Sequence, residues 1–212
     1  DFSFARTETK TGEGHKGFEV KKLGWEPKKA DEIFKQAAER RDLTLNAVAY
    51  NPLSKKWIDP LGGISDLKQR IMRPTSERFA EDPLRPLRAM QFAGRFGLDA
   101  SPELLSMSKN MKGQFGEVSK ERVRDEWYKW ATKSTEPQKG LEFLNKSGWI
   151  EHFPELANIK NIPQSPKYHP EGDVFEHTKL VTQAMAKNKK WQEYDISRKD
   201  ILALQTKDGI PE

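Results

Sequence analysis

The chain has 212 residues, of which 33% are charged and 35% hydrophobic, and a net charge of +5. The length allows two small domains or one of ordinary size, and no run approaches the ~18 apolar residues of a membrane span. The absence of cysteine excludes disulfides and thiolate metal sites and fits a cytoplasmic protein. The mild positive charge permits a nucleic-acid partner without requiring one.

Two strands and a helix are predicted in the first part of the chain. Alternating apolar and polar residues over 1–20 indicate two strands joined by a polar, glycine-bearing turn at 9–14. The chain begins within this pattern and has no initiator Met, so we expect it to be an internal piece of a longer protein. Apolar residues at helical spacing predict a helix over 27–41. The charged residues that end it, Arg40, Arg41 and Asp42, fit a solvated surface or a phosphate-binding site.

A hairpin and a glycine pair follow. Residues 48–50 predict a strand, 51–54 a turn and 56–60 the returning strand. Gly62 and Gly63 favour a tight turn with unusual backbone dihedrals. Ser65 or Asp66 is predicted to cap the next segment. The glycine pair is compatible with an ordinary turn and with a hinge.

Residues 79–96 are predicted to form a buried central helix. Asp82 is a favourable N-cap and Pro83 suits the first helical position. Both sides of the helix are apolar, as in a helix sandwiched between other elements. One face carries Ala89, Phe92, Ala93 and Phe96, and the other carries Leu84, Leu87 and Met90.

The central helix also carries three arginines, Arg85, Arg88 and Arg95. Buried or half-buried guanidinium groups need carboxylate, phosphate or base partners. One explanation is an internal ion pair with Glu81 or Asp82, and the other is a bound nucleotide. Only helices are predicted from here to about residue 156, with starts at Ser101 and Ser119 and a further helix over 137–149. A linker rich in Pro, Asn and Gln follows at 158–166.

Three segments in order resemble one family. Residues 40–47 read Arg-Arg-Asp-Leu-Thr-Leu-Asn-Ala, 59–67 run from Asp-Pro through two glycines to Asp-Leu, and 81–85 read Glu-Asp-Pro-Leu-Arg. They resemble the R-R-D-x-T-x-N-A, D-P-x-x-G-x-x-D-L and E-D-x-x-R motifs of the class II tRNA nucleotidyltransferases. These are the CCA-adding enzymes, whose close relatives are the bacterial poly(A) polymerases. The resemblance covers most of residues 1–180.

The resemblance implies roles for the charged residues. Asp82 and Arg85 would present hydrogen-bonding edges to the incoming base, so that the protein acts as the template for CTP or ATP. Arg41 and Asp42 would hold its phosphates and ribose. Supporting contacts would come from Arg40, Thr44 and Arg88. The hinge between head and neck would include Gly62, Gly63 and Asp66, and structural motif residues would be Glu81, Glu121, Arg122 and Glu126.

The family's Mg²⁺-holding carboxylate pair is missing from the sequence, which contains no D-x-D. Metal-dependent nucleotidyl transfer requires such carboxylates, so the resemblance places them upstream of this chain. Asp1 would lie near that metal site. We therefore expect this piece alone to be inactive.

Five metal-ligand candidates lie together near the linker, namely His169, Glu171, Asp173, Glu176 and His177. This segment resembles the opening of an HD-type phosphohydrolase domain, which needs a later His-Asp pair. The chain has Lys207 and Asp208 there, and a protonated lysine is a poor ligand. We expect a truncated or degenerate HD domain that retains His177 and Asp208 without a functional metal site.

The predicted fold class is α+β. Residues 1–60 would form the end of a palm-like nucleotidyltransferase head of strands plus helix, 61–157 an all-helical neck that binds RNA and nucleotide, and 158–212 the linker and the start of a helical HD domain. The implied reaction adds CMP and AMP from CTP and ATP to a tRNA 3′ end with Mg²⁺. The alternatives are a poly(A) polymerase and a non-catalytic RNA-binding module.

Overall fold

The computed structural model describes residues 6–11, 18–22 and 30–188. β1 (Arg6–Lys10) and β2 (Phe18–Lys22) pair antiparallel, as predicted. α1 (Ala30–Glu39) starts with two acidic residues in its first turn, which favours the positive end of the helix dipole. β3 (Ala49–Asn51) and β4 (Lys56–Ile58) form the predicted second hairpin. Asp1, Lys207 and Asp208 lie outside the described residues.

The rest of the described chain is mainly helical, which confirms the predicted α+β class. Its helices pack around one core cluster, whose fully buried members include Trp149, Phe79 and Leu87. No helix in the described ranges is long and apolar enough to span a bilayer. The elements are α2 (Gly63–Gln69), β5 (Ile71–Met72), α3 (Arg85–Phe96), β6 (Asp99–Ala100), α4 (Pro102–Asn110), α5 (Lys120–Lys133), α6 (Pro137–Ser147), α7 (Pro154–Ala157) and α8 (Val174–Lys187).

The central helix is α3, which packs against α5 and α6. It begins at Arg85, two residues later than predicted. The Asp82 carboxylate accepts a hydrogen bond from the backbone N–H of Leu84 at 3.0 Å, so it caps a turn ahead of the helix. Pro86 lies in the first helical turn, where a missing N–H leaves no intrahelical bond unmade.

The predicted apolar faces of α3 are only partly right. Ala89, Met90 and Ala93 are at most 1% exposed, but Phe96 is 44% exposed. Ala89 and Ala93 lie on the same predicted face as the phenylalanines and are buried, whereas the end of this face turns toward solvent at Phe96. The prediction that this side is buried is therefore wrong at Phe96.

The prediction of helices alone after α3 is also wrong at one place. β6 pairs parallel with β5, and the Asp99 N–H donates to the Arg70 carbonyl at 2.9 Å. This contact joins residues that are nearly thirty positions apart, so local sequence patterns do not reveal it. The predicted start of α4 is confirmed, because the Ser101 hydroxyl accepts from the Leu104 N–H at 3.2 Å.

Candidate functional site

Backbone pairing ties the Arg-Arg-Asp segment to residues 73–75, which precede α3. The Thr44 N–H donates to the Arg73 carbonyl at 3.0 Å, and the Thr75 N–H donates to the Asp42 carbonyl at 3.3 Å. The Thr75 hydroxyl also lies within hydrogen-bond distance of the Arg41 carbonyl, at 2.5 Å. These bonds fix the segment after α1 against the segment that leads into the central helix.

Between these segments lies an open cleft of about 450 Å³. Five arginines and two aspartates dominate its lining, so the cleft carries an excess of positive charge that suits a polyanionic ligand. The cleft is lined by Arg40, Arg41, Asp42, Asn46, Asp82, Leu84, Arg85, Arg88, Phe92 and Arg122. Six of these residues were predicted as nucleotide-binding from the sequence.

Asp42 is the most constrained acid of the cleft and is only 6% exposed. One carboxylate oxygen accepts from the Leu43 N–H and the Asn46 side-chain amide, each at 2.8 Å. The other accepts from Arg88 Nε at 2.7 Å. Burial opposes ionisation of Asp42, but the charge of Arg88 and these hydrogen bonds outweigh it and hold the pKa below its usual value. Asp42 is thus an anchored anion.

Asp82 pairs with Arg122 at the cleft, at 2.8 Å between Oδ2 and the guanidinium nitrogen. The sequence offered an internal ion pair between Glu81 or Asp82 and an arginine, and both carboxylates make one, although neither partner belongs to α3. Glu81 pairs with Arg78 at 3.0 Å. The arginine that holds Asp82 is Arg122 of α5, for which the sequence predicts a structural role.

Arg85 is held by backbone oxygens rather than by an acid. Its guanidinium donates to the Arg40 carbonyl at 2.8 Å and to the Arg78 carbonyl at 2.5 Å. Burial lowers the pKa of Arg85, and the charges of Asp42 and Asp82 oppose that shift. A guanidinium has five N–H donors and a carboxylate about four acceptor sites. Arg85 and Asp82 therefore keep unused donors and acceptors on one cleft wall.

The structure places Thr44 outside the cleft lining. Its hydroxyl donates to Asp66 Oδ2 at 2.7 Å, and Asp66 also accepts from Arg73 Nε at 2.9 Å. Both Thr44 and Asp66 are buried. Thr44 consequently positions the Arg-Arg-Asp segment, and its supporting role in nucleotide binding stays a prediction.

The glycine pair forms the tight turn that opens α2. Gly62 has φ 76°, in the left-handed region that favours glycine. The predicted capping by Ser65 or Asp66 is wrong, because the Asp59 carboxylate accepts from the N–H groups of Gly63 and Ile64 at 2.7 and 2.9 Å. Whether this turn acts as a hinge stays a prediction.

Gly63→Ala is expected to lower the free energy of unfolding by about 1–2 kcal/mol, as for overpacking in a filled site. A Cβ there would lie 2.2 Å from the Thr44 carbonyl oxygen, which is a backbone atom with little freedom to move. Urea denaturation measures the change. Gly113→Ala is the matched control, because no atom lies within 4 Å of its Cβ position. Equal stability of the two variants would contradict the packing argument.

The three structural-motif residues of α5 have different surroundings. Glu126 is buried and accepts from Lys129 at 2.7 Å, which agrees with its predicted structural role. Glu121 is exposed at the start of the helix, where hydrogen bonds from its own N–H and from Ser119 lower its pKa. Arg122 reaches the cleft.

Sequence reasoning also missed Phe92, although it lies seven residues after Arg85 on the same helix side.

The metal-ligand candidates near the linker separate into two groups. Asp173 caps α8, accepting from the Glu176 N–H at 2.8 Å, and Glu176 pairs with Lys179 at 2.8 Å. One ligand atom from each of His169, Glu171 and His177 lies within 4.8 Å of the other two. Glu171 Oε1 bonds both imidazole Nδ1 atoms, at 3.2 and 2.5 Å. These three residues could hold a metal ion.

The sequence-based expectation of weak metal binding at His177 stays a prediction. A divalent ion would have to replace the imidazole hydrogen bonds to Glu171. The backbone N–H of Glu171 and these imidazole bonds lower the pKa of its carboxyl group to about 2. Calorimetry with Mn²⁺ or Ni²⁺ is expected to give no micromolar site. Micromolar binding that disappears in both His177→Ala and Glu171→Gln would contradict it.

Comparison with known proteins agrees with this fold. Residues 5–73 match the poly A polymerase head domain family. The multifunctional CCA protein of Xylella fastidiosa strain 9a5c is 39% identical over 195 residues, covering 88% of this chain and 45% of that protein. The multifunctional CCA protein of Vibrio vulnificus strain YJ016 is 37% identical over 193 residues, covering 88% and 46%. The chain spans a little under half the length of these relatives.

A solved structure supports the fold. The Bacillus stearothermophilus CCA-adding enzyme in complex with CTP superposes with a TM-score of 0.62 at 23% identity, over 91% of this chain and 42% of that one. The fold and cleft define a nucleotidyltransferase head joined to a helical region. Residues 5–73 belong to the poly A polymerase head domain family, and most of the chain is similar to multifunctional CCA proteins, as the motif resemblance predicted.

Proposed function

We propose that the chain is the nucleotide-selecting part of a cytoplasmic tRNA nucleotidyltransferase that adds CMP and AMP, from CTP and ATP, to the 3′ end of tRNA. The observation that carries this proposal is the cleft, in which Asp82 and Arg85 share one opening with Arg40 and Arg41. The relatives named multifunctional CCA proteins support it. So does the solved Thermotoga maritima CCA-adding enzyme complexed with tRNA, with a TM-score of 0.51 at 24% identity, covering 83% of this chain and 48% of that one.

The proposed roles follow the chemistry of each wall. Asp82 accepts hydrogen bonds and Arg85 donates them, so together they can match the edge of a cytosine or an adenine. Arg40 and Arg41 offer guanidinium groups to phosphate oxygens. Asp42, anchored through Arg88, accepts hydrogen bonds from ribose hydroxyls. The ion pair with Arg122 holds Asp82 in place.

The cleft does not fit a magnesium site by itself. Each of its two carboxylates is already paired with an arginine, Asp42 with Arg88 and Asp82 with Arg122. A hard cation needs oxygen ligands that are free of such partners. In the proposed enzyme, Mg²⁺ would be held mainly by residues upstream of this chain.

The proposed domain organisation follows the sequence analysis. Residues 1–60 form the end of the nucleotidyltransferase head, 61–157 the neck, and 158–212 a linker with a truncated or degenerate HD domain. With these boundaries, the backbone bonds between residues 42–44 and 73–75 would join the proposed head to the proposed neck.

The test is nucleotide binding by the chain itself. Equilibrium dialysis is expected to show saturable binding of CTP and ATP, weakened about tenfold or more in Arg41→Ala because a charge-assisted hydrogen bond is worth roughly 1.5–3 kcal/mol. Arg124→Ala is the control, since Arg124 lies on the exposed side of α5 with 65% of its side chain accessible. Absence of CTP binding by the unmodified chain would contradict the proposal.

We further expect no nucleotide transfer by the isolated chain, because the described cleft has no free carboxylate pair to hold the catalytic metal. Incubation with radiolabelled CTP or ATP, Mg²⁺ and a tRNA that lacks its terminal CCA should leave the tRNA unlabelled. Metal-dependent incorporation would show that the catalytic carboxylates lie within these 212 residues.

A poly(A) polymerase is the second candidate, favoured by the match of residues 5–73 to the poly A polymerase head domain. Such an enzyme uses only ATP. Comparable affinities of the cleft for CTP and ATP support CCA addition, whereas binding of ATP without CTP supports poly(A) synthesis.

A further inference from the structure

A strip of aromatic and cationic side chains on α3 begins in the cleft and continues beyond it. Phe92 lines the cleft, and Phe96, one helical turn further, is 44% exposed. The two rings are stacked at 12° to one another, with centroids 5.8 Å apart. The exposed ring of Phe96 is therefore connected to the cleft by ring-to-ring contact.

Two arginines alternate with these rings. Arg88 Cζ lies 5.5 Å from the centroid of Phe92, and Arg95 Cζ lies 5.0 Å from that of Phe96. Arg88 is already paired with Asp42. Over the described ranges of the chain, Arg95 forms no ion pair, so its charge is not compensated by a carboxylate there.

We propose that this strip, defined by Arg88, Phe92, Arg95 and Phe96, binds the single-stranded 3′ end of the RNA that accepts the nucleotide. The inference rests on the proposed function, in which the RNA 3′ hydroxyl must reach the nucleotide in the cleft. Unpaired bases stack on exposed aromatic rings and on guanidinium planes, and arginines also bind the phosphates. The strip offers both kinds of group in a line that leads into the cleft.

The length of the strip agrees with a short piece of RNA. Eight residues separate Arg88 from Phe96, which is about 12 Å along a helix. Stacked nucleotides advance about 3.4 Å each, so the strip matches three or four of them. Core packing does not require an aromatic ring at Phe96, because nearly half of that residue is accessible.

The test measures binding of the 212-residue chain to a fluorescein-labelled 12-nucleotide single-stranded RNA that ends in CC. Phe96→Ala is expected to weaken binding about tenfold, the loss of one stacked base. Phe96→Tyr keeps the ring and should bind as the unmodified chain does. Leu180→Ala is the matched control, because Leu180 is 50% exposed on α8, a helix that contributes no residue to the strip.

Salt dependence tests the cationic half of the strip. Arg95→Gln is expected to reduce the slope of log affinity against log salt concentration by about 0.7, the value for one phosphate contact on a single strand. Arg124→Gln, an exposed arginine of α5, should leave the slope unchanged. Equal slopes for Arg95→Gln and the unmodified chain would overturn the phosphate contact.

CTP binding separates failure of the strip from failure of the proposed function. Loss of RNA affinity in Phe96→Ala with unchanged CTP affinity supports the strip. Unchanged RNA affinity in Phe96→Ala overturns the strip while CTP binding leaves the proposed function standing. Equal affinity for the same sequence as a blunt duplex also overturns the strip, because paired bases cannot stack on the ring. The unmodified chain could also bind RNA in a Phe96-dependent way without binding CTP. That result would support the strip and contradict the nucleotide-binding cleft.

Discussion

Asp82→Ala is expected to reduce the preference for CTP over UTP about tenfold or more. Cytosine presents an amino group where uracil presents a carbonyl oxygen, and a carboxylate can only accept hydrogen bonds. A hydrogen bond to a charged group contributes roughly 1.5–3 kcal/mol, which corresponds to about tenfold or more in affinity. Competition binding to the chain with CTP and UTP gives the ratio directly.

The matched comparison for Asp82→Ala is Arg41→Ala, whose side chain lines the same cleft. If Arg41 contacts phosphate, its loss weakens CTP, UTP, ATP and GTP alike and leaves the CTP:UTP ratio unchanged. Circular dichroism confirms that both variants fold. An unchanged ratio in folded Asp82→Ala would show that the carboxylate serves only its ion pair with Arg122.

Arg122 gives an independent check on the same wall. Its guanidinium is the partner that holds Asp82 Oδ2 at 2.8 Å. Truncation of Arg122 leaves the carboxylate present but free to turn, so it should lower selectivity less than loss of the carboxylate itself. A larger loss of selectivity in Arg122→Ala than in Asp82→Ala would assign the base contact to the arginine.

Local sequence patterns predicted the elements whose causes are local. The hairpin at β3 and β4, the helix over Ala30–Glu39 and the cap at Ser101 all depend on residues a few positions apart. The motif resemblance also identified most of the cleft lining, since it brought together segments that lie forty residues apart in sequence. Spacing alone did not provide that information.

The missed features depend on contacts between distant segments. Arg122 lies forty residues from Asp82, and its sequence neighbourhood is typical of an ordinary exposed helix start. The β5–β6 pairing was missed for the same reason, because its two strands are distant in sequence. Helical periodicity correctly grouped the phenylalanines with Ala89 and Ala93, but it cannot tell that the neighbouring helices leave this face exposed at Phe96.

Asp42→Asn is expected to lower the free energy of unfolding by about 2 kcal/mol. The carboxylate accepts three hydrogen bonds, one of them from the guanidinium of Arg88. Breaking a fully buried ion pair costs about 3–5 kcal/mol, and the smaller value applies here because the Arg88 side chain is 34% exposed. Asp125→Asn is the control, since its carboxylate is 60% exposed in a 3.8 Å pair and should change stability by no more than ~0.5 kcal/mol.

The pH dependence distinguishes this electrostatic role from packing. The pKa of Asp42 in the folded chain lies below its ordinary value of 3.8. Its contribution to stability is therefore fully present above that value and is lost as pH falls through the lower pKa of the folded state. Urea denaturation at a series of pH values should show a difference between the unmodified chain and Asp42→Asn that is constant near neutrality and shrinks below about pH 4. A difference that stays constant down to pH 2 would mean that Asp42 stabilises the cleft by shape alone, and that its charge is not held by Arg88.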